Sequence, residues 1–289
     1  MPKKPKQSIS SNVEAFLEHV FTFLDLEEGA VRCYRGQAND NWDPVPSVLR
    51  DGLKPNAESG VISELTTETP EEFDHDTSMF RKLVRAQHFG LPTRLLDVSL
   101  NPLLALFFAC HSEAEKENDG IVKVFDFSPN RIKFGDSDVI SLICNLSRLS
   151  DRERSTLEKE SDFTDESLEK RKPYFRELPE MKRLTQFVRI EKPYFLDIVN
   201  PRDLRRYFFV YPYKTNKRVI AQSGAFISGG LLEFAAPARS KGLDIHNIII
   251  PAASKRNILK ELDILNVNSR TLFPDIQSIS TYIKNKWKE

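Results

Sequence analysis

Cysteine is scarce in this sequence. Cys33, Cys110 and Cys144 are the three it has, and none sits at the close spacing of a zinc site or a disulfide framework. They read as free thiols in a reducing cytosol, and the expected location is cytoplasmic. Net charge is also missing, because 42 basic residues balance 42 acidic ones. That excludes a chain-wide basic surface of the kind that captures nucleic acid by counterion release, so a basic patch has to be found by position. Long apolar runs are absent too. Leu103 to Cys110 and Ile248 to Ala253 have the length of buried helix or strand segments, and no membrane span is expected. Met1 to Lys6 leads into polar Gln7 to Asn12 rather than an apolar core, unlike an export signal. No glycine-rich phosphate loop, dinucleotide fingerprint or internal repeat occurs. His75, His88 and His111 lack the spacing of metal ligands, so no metal is expected.

What remains is a chain of 289 residues with 40% hydrophobic residues, enough for an ordinary packed core. Residues 1–11 read as a loose tail and 12–289 as a single domain. After Ser11 or Asn12 as cap, Val13, Phe16, Leu17, Val20, Phe21 and Leu24 keep the spacing of one helical face. Val31 to Tyr34 reads as a short strand ending at Arg35-Gly36. The stretch from about 51 to 78 is rich in Glu, Thr, Ser and Pro and reads as a loop insertion. Met79 to His88 is a helix. Thr93 to Asn101 reads as a short loop pinned against a helix from Pro102 to Cys110 that is apolar nearly all round and therefore buried. Ile121 to Phe127 is a strand, and about 136–182 reads as a charged insertion of surface helices. Strand-like runs follow at Phe187–Ile190, Tyr194–Val199, Tyr207–Tyr211, Val219–Ala221, Ala225–Ile227 and Ile245–Ile250. Helices at Ser254–Leu262 and Ile276–Lys286 close the chain. Helices first and clustered strands later argue for an α+β fold.

Three segments could carry chemistry. Tyr34-Arg35-Gly36-Gln37 puts a guanidinium at a strand end beside a backbone that a ligand could approach, a geometry suited to phosphate or carboxylate. The stretch Ala86 to Ser99 packs Gln87, His88, Thr93, Arg94, Asp97 and Ser99 against core-forming residues. Polar groups so placed must bond each other or hold a ligand. Arg218 to Phe226 sets Gln222 and Gly224 between two strand-like runs, where glycine marks a bulge or a close approach. Ser99 lacks nucleophile-elbow glycines, which disfavours a serine hydrolase. A metal-dependent nuclease is disfavoured by the lack of a carboxylate-rich constellation.

Together these segments resemble the FRG domain family, named for a (Phe/Tyr)-Arg-Gly motif matched by Tyr34-Arg35-Gly36. The block from Ala86 to Asp97, the following Asn101-Pro102 and Ala105 to Ala109 match with few changes, and Gln222-x-Gly224-x-Phe226 and Leu272-Phe273-Pro274-Asp275 resemble the family's ending. The order of Arg, then a Ser-containing turn leading into a buried helix, then a polar residue on a late strand is remotely similar to the Arg–Ser–Glu layout of ADP-ribosyltransferases. That resemblance implies split mixed or antiparallel sheets with flanking helices, NAD as substrate and no metal. It gives catalytic roles to Arg35, Ser99 and Gln222, and places Tyr34, Gly36, Gln37, His88, Thr93, Arg94 and Asp97 around the dinucleotide. Gln222 departs from the expected Glu, and a neutral amide stabilises positive charge less than a carboxylate does. Asp97, Glu191 or Glu233 could supply the missing charge.

The implied activity is that of a bacterial toxin or antiphage effector that ADP-ribosylates a macromolecule. A neutralising antitoxin is an implied partner. Nucleic acid, RNA or DNA, is favoured as target over protein, because Arg205, Arg206, Lys214 and Lys217 lie in a run with Tyr207, Tyr211 and Tyr213, suited to phosphate contact and base stacking. The alternative is a non-catalytic module that binds a nucleotide or a partner protein through a pocket of Arg35, His88 and Arg94.

Overall fold

The computed structural model describes residues 7–23, 26–50, 52–161, 168–214, 217–231, 239–240 and 242–288. In chain order it runs β1 (Gln7–Ile9), α1 (Val13–Phe21), β2 (Val31–Gln37), α2 (Ala57–Glu68), α3 (Met79–His88), β3 (Leu95–Ser99), α4 (Pro102–Cys110), β4 (Gly120–Phe127), β5 (Ile132–Phe134), α5 (Asp138–Asn145), α6 (Asp151–Glu160), α7 (Leu168–Glu177), α8 (Pro179–Glu191), β6 (Tyr207–Tyr211), α9 (Lys217–Ala221), β7 (Gly224–Gly229), β8 (Arg239–Ser240), β9 (Leu243–Ile250), α10 (Ala252–Ile264), α11 (Ser269–Leu272) and α12 (Ile276–Lys286). The class is α+β.

The strands form one mixed sheet in the order β1-β9-β4-β2-β3-β7-β6-β5, with β8 on β9. β1 runs parallel to β9 and β5 parallel to β6, and the remaining pairs are antiparallel. β2 pairs with β4 from Val31 to Gln37, and β3 pairs with β7 from Leu95 to Ser99. Between β2 and β3, in contrast, Tyr34 and Ser99 are the one matched pair. The sheet is therefore two halves joined at a single point, and beyond that point a gap opens between them.

Side-chain alternation decides what each half buries. Tyr34, Val122, Val124, Ile248 and Ile250 pack against α1, α4 and α10. The neighbouring Cys33, Phe125, Phe127 and Ile245 meet Leu96, Val98, Phe209 and Ile227 from the other half. A third cluster joins Leu95, Phe208 and Phe226 to α3, α5, α7 and α8 through Phe80, Leu83, Ile143, Phe175 and Leu184.

Helix α4 is fixed most tightly. Asn101 caps it, its Oδ1 accepting the Leu103 N–H at 2.9 Å, and Pro102 occupies the first turn, where its missing N–H costs nothing. The helix then lies backbone to backbone on the sheet. A Cβ on Gly36 would fall 1.8 Å from the Ala105 carbonyl oxygen, and one on Gly120 would fall 2.4 Å from that of Ala109. The helix alone is thus sufficient reason for a glycine at position 36.

Other expectations change as well. Thr93 to Asn101 is not all loop, since Leu95–Ser99 is a strand held by β7. Segment 51–78 contains α2 and a 3-10 turn at Pro70–Phe73. The charged helices of 136–182 are present, but they also bury Ile140, Ile143, Leu157 and Phe175. Phe187–Ile190 ends α8, Tyr194–Val199 forms no strand, and Val219–Ala221 belongs to α9. Of the amino-terminal tail, Gln7–Ile9 joins the sheet edge, while residues 1–6 lie outside the described residues.

The glycine contact is directly testable. Gly36→Ala should cost about 3 kcal/mol or more in denaturant unfolding, because the obstacle is backbone that must move. Gly60→Ala in α2, where nothing lies within 4 Å, should instead stabilise by about 0.5–1 kcal/mol.

Candidate functional site

Antiparallel register beyond Tyr34 and Ser99 would set Arg35 against Val98, but the strands have parted there. The Arg35 side chain spans the gap, its Nη1 donating to the Asp97 carbonyl at 2.7 Å. Its Nε is buried without a hydrogen-bond partner among the described residues. Burial lowers the guanidinium to about 10, against the pull of Asp97 and with a further push from Arg50. Arg35 stays protonated at neutral pH, is poorly hydrated and keeps a free donor, which is what an anionic ligand requires.

A cavity of about 220 Å³ opens at this gap, with Arg35, Asp97, Ser99, Phe108, Arg218 and Gln222 among its lining residues. Arg35, Ser99 and Gln222, assigned together from the sequence, therefore share one cavity. The Ser99 hydroxyl donates to the main-chain carbonyl of Gln222 at 2.8 Å and accepts the Asn101 N–H at 3.0 Å. It ties β3, the α4 cap and the turn before β7 into one piece. In that turn Ser223 adopts a left-handed conformation at φ 44°, and its carbonyl accepts the Leu100 N–H at 3.0 Å. The Gln222 side chain donates to the Leu272 carbonyl at 3.1 Å. This ties α11 to the cavity wall, and Phe273 beyond it meets Phe108 edge-on at 6.0 Å and lies with its ring centre 5.2 Å from the Arg218 guanidinium.

The polar block from Gln87 to Asp97 mostly satisfies itself. Thr93, fully buried, donates its hydroxyl to Gln87 Oε1, and Gln87 Nε2 donates to Asp97 Oδ2 at 2.6 Å. That chain aims Asp97, the only acid among the lining residues, at the cavity. Tyr34 and Gly36 line it too. Gln37 is turned away and donates to the Asp43 carbonyl at 3.2 Å.

Arg94 does not belong to this cavity, and its placement there is corrected. It is 2% exposed and makes a bidentate pair with Glu58, at 2.5 Å from Nε and 2.6 Å from Nη2, while Arg154 Nη1 lies 3.2 Å from the same carboxylate. The pair fastens α2 and α6 to the sheet. His88 is exposed at the end of α3, in a separate cleft, so among the described residues Arg35, His88 and Arg94 line three different cavities. Of the alternative carboxylates, Glu191 is held by the Met79 N–H at 2.5 Å and by Asn145 at 3.1 Å, away from the cavity, and Glu233 lies outside the described residues.

The basic run of 205–217 also divides. Arg205 donates to the Glu158 carbonyl at 2.9 Å, and Arg206 pairs with Asp203 at 3.2 Å. Lys214 is exposed, and Lys217 lines the cleft that holds His88. Sequence reasoning missed Arg218 and Phe108 as cavity residues. Arg218 stood at the head of the Gln222 segment, and its direction became clear only once α9 proved to be a helix. Phe108 was hidden in an all-apolar helix.

Residues 31–118, from β2 through α4, match the family model described as the FRG domain. The matched span contains Arg35, Asp97, Ser99 and Phe108, whereas Arg218 and Gln222 come from the later half of the chain. No curated protein and no solved structure matches the chain. Among the described residues no three His, Cys, Asp or Glu are grouped to hold a metal ion, and no helix is long and apolar enough to cross a membrane.

The structural role of Arg94 predicts a stability defect. Arg94→Met leaves Glu58 buried with half its compensation and should cost about 3 kcal/mol or more in denaturant unfolding. The double variant Arg94→Met with Glu58→Leu should recover most of the loss.

Proposed function

We propose that the protein is an NAD-dependent ADP-ribosyltransferase acting in the cytoplasm on a macromolecule, as a toxin or antiphage effector of a bacterium, with nucleic acid favoured as the acceptor. The observation that carries this reading is the single cavity at the gap in the sheet, where Arg35, Ser99 and Gln222 converge from β2, β3 and the turn before β7. At about 220 Å³ it is smaller than the roughly 300–1,000 Å³ of a whole ligand pocket. It therefore suits the reacting end of the dinucleotide, with the remainder outside.

In this reading Arg35 holds the pyrophosphate, since its buried, unpartnered Nε and remaining fork nitrogens favour an anion. Ser99 has committed its proton to Gln222, so it is no nucleophile and keeps only acceptor capacity for a ribose hydroxyl. In the reaction, the bond from ribose C1′ to the nicotinamide nitrogen breaks and its electron pair leaves with nicotinamide. An acceptor oxygen or nitrogen forms the new bond to C1′ and releases its proton to water. Positive charge that develops on the ribose is faced by Asp97, whose Oδ2 is already fixed by Gln87, and by the Gln222 amide.

A second reading, a nucleotide- or partner-binding module without catalysis, is favoured by one fact. The position that resembles a catalytic Glu is Gln222, and its amide is bonded to Leu272. Labelled NAD incubated with RNA, DNA and protein separates the two readings. The transferase should label one fraction and release nicotinamide, and no label at concentrations where NAD binds leaves the binding module. If label transfers, Arg35→Ala should abolish it and Arg35→Lys, which keeps charge without the fork, should lower it about 100-fold, while both remain folded, with Arg35→Ala losing no more than the about 1–3 kcal/mol of the Asp97 carbonyl contact in denaturant unfolding. Unchanged transfer in both would show that the site lies elsewhere.

A further inference from the structure

A concavity larger than the one at the sheet gap lies elsewhere on the molecule. A cleft of about 710 Å³ lies between α3 and Pro212, Tyr213, Lys217 and Arg218, and Arg218 lines both it and the smaller cavity. Its walls have a definite chemistry. Arg81, Arg85, His88, Lys217 and Arg218 contribute cations or potential cations, against Asp76 and Asp275. Both acids are engaged. Asp76 takes the Arg85 guanidinium, at 2.5 Å from Nε and 3.4 Å from Nη2. Asp275 accepts the Ser278 N–H and hydroxyl, each at 2.8 Å, at the start of α12. Arg81 and Lys217 have no ion pair among the described residues. The field at His88 agrees with a cationic cleft: partial burial depresses its imidazole, and Arg218 and Arg85 add to the effect against Asp275.

Aromatic rings stand among these charges. The Arg81 guanidinium lies 4.2 Å from the centre of the Tyr213 ring, and Tyr213 is 43% exposed. Phe89, at the opposite end of α3 from its cap, is 59% exposed. Exposed rings interleaved with unpaired cations in an open cleft are the elements of single-strand recognition, since phosphates take the charge and unstacked bases take the ring faces. A duplex offers no base faces to such rings. An acidic peptide would satisfy the cations but leave the rings exposed.

We propose that the cleft lined by α3, Tyr213, Lys217 and Arg218 binds single-stranded nucleic acid, with Tyr213 as a stacking platform and Arg81 and Lys217 as phosphate contacts. It extends the transferase reading, on which its role as an acceptor site rests, because Arg218 at the junction places a bound nucleotide next to the Arg35 cavity. The binding itself needs no NAD. It also moves the acceptor surface away from Arg205 and Arg206, which are bonded to the Glu158 carbonyl and to Asp203.

The test is fluorescence anisotropy of the full chain with labelled single-stranded DNA and RNA of about ten nucleotides, without NAD, across a salt series. Binding should weaken as salt rises. Arg81→Ala should lower the slope of log K against log salt by about 0.7, the loss of one phosphate contact. Tyr213→Ala should weaken binding about fivefold or more with the slope unchanged, the loss of one stacked base. Lys260→Ala, on α10 in a different surface pocket, should change neither. No binding, equal losses on duplex of the same length, displacement by polyglutamate as effective as by unlabelled strand, or unaltered binding in both cleft variants would each overturn the proposal. The two readings fail separately: a chain that binds strand but never cleaves NAD loses the transferase reading alone, and one that cleaves NAD but binds no strand loses this inference alone.

Discussion

Helix α4 rests on β2 and β4 with backbone against backbone, and most of the site follows from that contact. Gly36 and Gly120 leave no Cβ to hold the helix off, and Ala105 and Ala109 present their carbonyls to the space this creates. A helix pressed so close has little freedom in tilt or register, so its entry is fixed as well. The Asn101 cap and the Ser99 hydroxyl bring β3 in at a defined point, the pair Tyr34–Ser99. Because Gly36 faces the helix, its neighbour Arg35 must face the other way. There it reaches the Asp97 carbonyl across the gap, instead of a ladder partner. One steric requirement therefore places both the wall of the cavity and its cation.

The gap carries an energetic cost that the side chains offset. Where two strands part, main-chain carbonyls lose partners, and a buried unpaired carbonyl costs about 1–3 kcal/mol. Arg35 satisfies the Asp97 carbonyl there, and Ser99 satisfies that of Gln222 in the adjoining turn before β7. These are two of the residues the resemblance marks as functional, so in the proposed reading a structural and a chemical role fall on the same side chains. Arg35 gives one nitrogen to the fold and retains Nε for a ligand, while Ser99 gives its proton wholly to the fold. The division explains why Arg35 is the better candidate for ligand contact and Ser99 for positioning.

Much of this was legible in the sequence where the signal was local. Asn12, Ser78 and Asn101 each accept a main-chain N–H at the start of a helix placed correctly from spacing, and β4, β6, β7 and β9 follow from β-branched and aromatic runs. Leu95–Ser99 was not legible as a strand because its partner β7 is more than a hundred residues away and its own five residues lie between loop-like Pro92-Thr93 and Asn101-Pro102. Val219–Ala221 has strand composition, yet it completes a helical turn that the main-chain bond from Gln222 to the Arg218 carbonyl closes at 2.9 Å. Arg94 misled for a physical reason: its partner Glu58 comes from a stretch too weakly periodic to mark as helix, so the motif displayed a cation without the acid that neutralises it.

Zero net charge conceals a separation of charge by partner. At Arg94 and Arg85 the positive charge meets a carboxylate at hydrogen-bond distance, and these arginines contribute to the fold. At Arg35, Arg81 and Lys217 no such partner stands among the described residues, and all three line cavities. Sorted in this way, the cations that remain available lie along one continuous path, from the cleft past Arg218 to the gap at Arg35. A desolvated cation without a carboxylate is costly to maintain unless something anionic returns the energy. The Arg35 guanidinium, lowered to about 10 chiefly by burial, is where that cost is greatest, and so it is where an anionic ligand would gain most by binding.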